Sequence, residues 1–174
     1  LDYGNILRDD LYKLIFDIAS AKKLPITIGG DHSITTVILQ AIYESSKGEK
    51  ITLLYFDAHP DFVSSTRNYY GSVIADSFDY INFTKSILIG TRAAELEELE
   101  NAFKENLEII TPIDIIESGI NTIIKRIISK CGTSKVYLSI DLDCMDPGVA
   151  PGVSVPAPGG LFPLDLMYII KKIS

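Results

Sequence analysis

The 174-residue sequence has two histidines, two cysteines, no long apolar run and no excess of basic charge. Cys131 and Cys144 form neither a zinc-type spacing nor a disulfide framework. They read as small buried hydrophobes in a reducing, cytoplasmic setting. No stretch of about eighteen apolar residues is present to span a bilayer, and no basic-then-apolar leader precedes the first helical pattern. A net charge of −7 argues against nucleic acid or an anionic membrane as partner, since both call for basic patches. Repeats, linkers and low-complexity tracts are also missing. With 47% apolar and 22% charged residues, residues 1–174 are expected to form one domain with a sizeable core. The sequence starts at Leu1 without a methionine and stops inside an apolar-patterned segment, 164–173, so it reads as cut at both ends.

The scarcity of histidine draws attention to where both histidines stand. An apolar run ends in Phe56-Asp57-Ala58-His59-Pro60-Asp61. On an extended segment Asp57, His59 and Asp61 share one face, which is a metal-ligand spacing. A second run, 136–140, ends in Asp141-Leu142-Asp143, again with two carboxylates on one face. A third, 25–28, ends in Gly29-Gly30-Asp31-His32-Ser33, where paired glycines allow a tight turn that carries His32 over the strand end. Asp31 and Cys144 each neighbour a candidate ligand but are expected to face away from it.

The elements between these runs alternate. Residues 7–22 carry a helical apolar stripe, a strand is expected over 24–28, and Ser33 is placed to cap a helix over 34–43. A strand over 51–56 precedes a serine-rich loop, 62–68, that suits a lid. Residues 70–80 read as helical. Strands at 86–90 and 108–110 flank an acidic helix over 93–105, and a segment from Pro112 is split by Gly119 before continuing to Ser129. A strand at 135–140 and a helix from Pro163 complete the pattern. Such βαβ units give a mostly parallel sheet with helices on both faces, and in that class ligands bind beyond the carboxyl ends of the strands.

One strand-terminal aspartate is ordinarily a helix cap, and one histidine after Gly-Gly is ordinarily structural. Six such groups at three strand ends on one sheet edge form a dense buried negative cluster that calls for cations. Carboxylates and imidazoles without thiolates favour a divalent ion of the manganese, iron, cobalt or zinc group. Four carboxylates exceed the needs of one ion. Two ions about 3.5–4 Å apart can share a water and lower its pKa to give hydroxide near neutral pH, so hydrolysis is the expected chemistry.

Gly29-Gly30-Asp31-His32-Ser33, Asp57-Ala58-His59-Pro60-Asp61 and Ser139-Ile140-Asp141-Leu142-Asp143, with Asp146-Pro147 and Pro151-Gly152, resemble the three motifs of the ureohydrolases, the family of arginase, agmatinase and formiminoglutamase. The resemblance implies a three-layer α/β/α fold with a mostly parallel sheet, two Mn(2+) ions per subunit, and attack of a metal-bound hydroxide on a guanidino compound with release of urea. It implies His32 and Asp61 on one ion, His59 and Asp143 on the other, and Asp57 and Asp141 bridging both. It also implies a homo-oligomer, a trimer or hexamer.

The sequence departs from the family pattern at several points. The segment Pro151-Gly152-Val153-Ser154-Val155-Pro156 has valines where the family carries threonines, so two hydroxyls are lost from the loop over 146–160, in which Pro151, Pro156 and Pro158 make a rigid wall. Where members have His-Gly after the second motif, Tyr70-Gly71 stands. Tyr70 is a candidate hydrogen-bond donor to the reacting centre, though a pKa near 10 makes it a poor proton shuttle. The family's substrate-binding glutamate falls outside these residues. Arginases place an asparagine two residues beyond Asp61 to hold an α-carboxylate, and Val63 there favours agmatine. Arginase or formiminoglutamase activity is the alternative, as is a catalytically impaired metal-binding scaffold or partner subunit. A deacetylase-like single-zinc enzyme is disfavoured by the full Asp57, His59, Asp61 set.

Overall fold

The computed structural model describes residues 1–174. Helices α1 (Arg8–Ser20) and α2 (Ile34–Ser45) precede strand β1 (Thr52–Phe56). A 3-10 turn (Tyr70–Ser72) leads into the single turn of α3 (Val73–Asp76), then come β2 (Ile87–Ile89), α4 (Leu96–Lys104) and β3 (Glu108–Ile110). Helices α5 (Pro112–Ser118) and α6 (Ile120–Cys131), strand β4 (Val136–Ile140) and helix α7 (Pro163–Ile173) follow. No helix is long and apolar enough to cross a membrane.

The sheet is parallel throughout, in the order β3-β2-β1-β4. The chain builds outward from β1 through β2 to β3, then returns to lay β4 on the other side of β1. The strand order therefore reverses between β1 and β4, and the crevice at their carboxyl ends is where an open α/β sheet places its ligand. The pairing of Phe56 with Ile140 brings Asp57 and Asp141 level at that crevice. The Asp141 N–H donates to the Phe56 carbonyl at 2.8 Å, which fixes the level.

Alternation along the buried β1 separates two cores. Leu54 and Phe56 pack with Ile123 and Ile127 of α6 and with Leu166 and Ile169 of α7. Leu53 and Tyr55 pack on the other face with Leu39 of α2 and with Val73 and Ile74 of α3. Each fully buried side chain of this size contributes about 1.5–3 kcal/mol, so β1 is the most firmly held segment around the crevice. The expected α/β/α layering is what these two cores form. Local signals set the helix ends: Thr111 and Asp114 form a capping box with Pro112 in the first turn of α5, and Gly119, at φ +77°, separates α5 from α6.

Three expectations need correction. Residues 24–28 form no strand, and Leu24, Ile26 and Ile28 are 84, 81 and 94% exposed. Apolar, β-branched composition alone does not make a strand without a partner to bond, and the edge strand β4 is not paired to these residues. The helix expected over 70–80 shrinks to the 3-10 turn and α3. Ser33 occupies the cap position of α2 but its hydroxyl bonds Asp31 and Arg8 instead of the helix amides.

Candidate metal centre

Each candidate ligand is aimed by a local backbone device. Gly29 and Gly30 take successive positive φ values of +103° and +76°, and this turn delivers His32 to the crevice just before α2. Beyond β1 the chain leaves the extended path at once. Asp57 Oδ1 accepts the His59 N–H at 2.7 Å, and Asp61 adopts a left-handed φ of +50°. Convergence of Asp57, His59 and Asp61 thus comes from a turn and a strained residue, not from continued alternation. Beyond β4 the same device recurs: Asp141 Oδ1 accepts the Asp143 N–H at 2.8 Å and opens a 3-10 turn (Leu142–Cys144).

The side chains gather into two groups that share Asp57. His32, Asp57 and Asp61 form one, and Asp57, His59 and Asp143 the other. Four oxygens surround His32 Nδ1: Asp57 Oδ2 at 2.9 Å, the Tyr55 hydroxyl at 3.0 Å, Asp61 Oδ2 at 3.3 Å and Asp141 Oδ2 at 3.4 Å. A ring nitrogen carries at most one proton, so one hydrogen bond cannot account for this convergence, whereas a shared cation does. His59 Nδ1 lies 3.0 Å from Asp143 Oδ2 and 3.5 Å from Asp57 Oδ1. Asp141 belongs to neither trio; its Oδ2 turns to His32 Nδ1 while its Oδ1 is held by the Asp143 N–H. Its side chain is 32% exposed, against 2, 8 and 9% for Asp57, Asp61 and Asp143, so the cluster opens to solvent on the Asp141 side.

The electrostatics follow from this packing. Burial pushes the His32 imidazolium down, but hydrogen bonds to Asp141, Asp57 and Asp61 carry its pKa up to about 12. Hydrogen bonds to Asp143 and Asp57 raise His59 to about 10. Burial raises Asp57, and raises Asp61 to about 6. For Asp141 burial is outweighed by the bonds from His32 and the Asp143 amide, and its pKa is lowered. An oxygen and imidazole donor set of this kind fits divalent cations.

Asp31 Oδ1 accepts the Ser33 N–H at 2.9 Å, and Cys144 is fully buried in the α6–α7 core with its thiol pushed up to about 12 by burial. The loop over 62–68 is pinned to α4 by Ser64 and Ser65, whose amides donate to Glu97 at 2.9 and 2.8 Å. Tyr70 is 52% exposed with its ring edge on Tyr69, and the hydrogen bonds of the cluster do not include it. In the loop after β4, Asp146 Oδ2 accepts the Gly159 and Gly160 amides at 2.8 and 3.3 Å. A Cβ on Gly160 would lie 2.4 Å from the Met145 carbonyl carbon, so only glycine fits there.

A model of the arginase family matches residues 3–174. The chain belongs to the arginase family. It is 32% identical over 173 residues to an agmatinase of Blochmanniella floridana, covering 98% of this chain and 53% of that protein. It is 31% identical over 173 residues to a mitochondrial arginase of Medicago truncatula, covering 98% and 49%. The solved agmatine ureohydrolase of Thermoplasma volcanium superposes with a TM-score of 0.80 at 30% identity, over 95% of this chain and 55% of that one. The chain therefore spans about half the length of these relatives.

Sequence reasoning passed over three residues that build this arginase-family cluster. Tyr55 and Ser139 each stand two positions before a candidate ligand, on the same face of the strand, which is the signal that marks them. Ser139 Oγ lies 2.9 Å from His32 Nε2 and so orients the ring's other nitrogen. Arg92, just past β2, reaches the carbonyls of Gly90 at 2.9 Å, Asp143 at 2.8 Å, Met145 at 3.1 Å and Pro158 at 3.0 Å. It ties the Asp143 turn to the glycine loop, and nothing in its local sequence signals that task.

Proposed function

We propose that the protein hydrolyses a guanidino compound with release of urea, agmatine being the favoured substrate. The observation that carries this reading is the pair of donor groups sharing Asp57 in the crevice between β1 and β4. His32, Asp57, Asp61 and Asp141 would hold one cation, and Asp57, His59 and Asp143 the other, with Asp141 proposed to bridge. Such ions supply an acidified water as nucleophile. The chain's own residues aim the donors and keep Asp57, Asp61 and Asp143 buried, with the Asp141 and His59 side chains partly open to solvent. Val63, which offers no polar group to an α-carboxylate, supports agmatine over arginine. Manganese as the ion, a cytoplasmic setting and a homo-oligomer belong to the same reading.

Tyr70 is proposed as a hydroxyl donor to the bound substrate. Its exposure, and the absence of a histidine before Gly71, favour a second reading in which the protein binds metal without turnover. Urea release from agmatine, arginine and guanidinobutyrate, measured with manganese and after its removal, separates the two. Metal-dependent urea from agmatine supports the enzyme; bound metal with no urea from any of the three counts against the urea-releasing reading.

A further inference from the structure

We propose that Tyr55 is a positioning residue of this centre, its hydroxyl setting the Asp61 carboxylate and its ring setting the plane of His32, so that both present their donor atoms to the same ion. This rests on the reading of the cluster as a two-cation site. Tyr55 is 0% exposed, in the middle of the firmly held β1. A buried phenol needs a partner, and the Tyr55 hydroxyl donates to Asp61 Oδ2 at 2.6 Å while lying 3.0 Å from His32 Nδ1. Its ring lies parallel to the His32 ring, with centroids 4.6 Å apart and planes 5° from coincidence.

Both residues it touches lie in irregular chain, and Ser139 fixes His32 only at its other nitrogen, Nε2. His32 follows two glycines, and Asp61 sits at a left-handed φ of +50° in irregular chain. One O–H takes one lone-pair direction of Oδ2 and turns the remaining ones toward the space shared with Asp57 and Asp141. The other group has no such hydroxyl. Asp143 is held instead by the Ala58 amide at 2.9 Å. Tyr55 should therefore govern one ion and not the other, which a purely structural tyrosine would not do.

The test is a titration with manganous chloride of the protein in its full natural length, comparing wild type with Tyr55→Phe, which keeps the stacked ring and removes only the hydroxyl. The expected result is two binding steps in both proteins, one of them weakened about 10–100-fold in Tyr55→Phe and the other unchanged. The Asp61→Asn variant should weaken the same step, and adding Tyr55→Phe to it should change that step no further. Two unaltered steps in Tyr55→Phe would overturn the proposal. So would equal weakening of both steps, or a variant that fails to fold without metal, since either would make the role structural. A wild-type protein that takes up no manganese would overturn the two-cation reading itself, and this inference with it.

Discussion

Asp57 and Asp141 hold the same posture at the ends of two paired strands. Each accepts at Oδ1 the backbone N–H two residues on, at 2.7 and 2.8 Å, and turns Oδ2 to His32 Nδ1, at 2.9 and 3.4 Å. The register of β1 on β4 sets the level of the two residues, and the bond from each side chain to the amide two residues on sets its direction. Their difference lies in burial: Asp57 is closed off between the two donor groups, and Asp141 faces solvent.

The raised histidine pKa values predict how metal uptake responds to pH. In the metal-free protein at pH 7 His32 and His59, at about 12 and about 10, carry protons that they must lose to become ligands. Metal affinity should rise with pH across the neutral range, and calorimetry in buffers of different ionisation enthalpy should register proton release. A pH-independent affinity would contradict the assignment of both imidazoles as ligands.

Stability without metal should move the opposite way. A histidine whose folded pKa lies above its unfolded value of about 6.5 adds stability fully present below that value and lost as pH rises through the folded pKa. His59 loses its share up to about 10. Asp61, raised to about 6 by burial, acts in the same sense because its proton is held more tightly when folded. The metal-free Tm should fall as pH rises from about 6.5 to about 10, and added manganese should restore it most at the alkaline end. Thermal scans across that range check both statements.

Much of the site was legible from residue order, since the six candidate ligands are the acids and histidines that directly follow apolar runs, and the structure brings all six to one crevice. What was not legible is what depends on contacts distant in sequence. The failed strand over 24–28 shows this, because pairing belongs to the neighbour as much as to the segment. The path after Asp57 shows it too: alternation suggested a continuing strand, whereas an Asx-type turn and a left-handed Asp61 achieve the same convergence by other means. Arg92 is the clearest case, its role set by carbonyls of segments more than fifty residues further along.

Arg92 should accordingly matter to the fold around Asp143. Arg92→Lys keeps a charge but loses the planar fork that reaches several carbonyls at once. We expect a loss of about 2 kcal/mol, seen as a Tm lower by about 4–8 °C, together with weaker binding of the ion held by Asp143. A variant of unchanged Tm would show that water replaces the guanidinium without cost.

Tyr70→Phe should lower turnover while leaving metal content unaltered, the pattern of an interaction made mainly in the transition state. Steady-state urea release alongside metal analysis reads both quantities. Unchanged turnover would remove Tyr70 from the reaction and leave the exposed side of the cluster, at Asp141, to be served by solvent.

Asp57 is proposed to join two cation sites, and the number of ions bound per chain decides whether it does. Native mass spectrometry of the manganese-loaded protein should find two ions per chain in the wild type and none in Asp57→Ala, because that carboxylate belongs to both donor groups. One ion in the wild type, or two retained in Asp57→Ala, would contradict it.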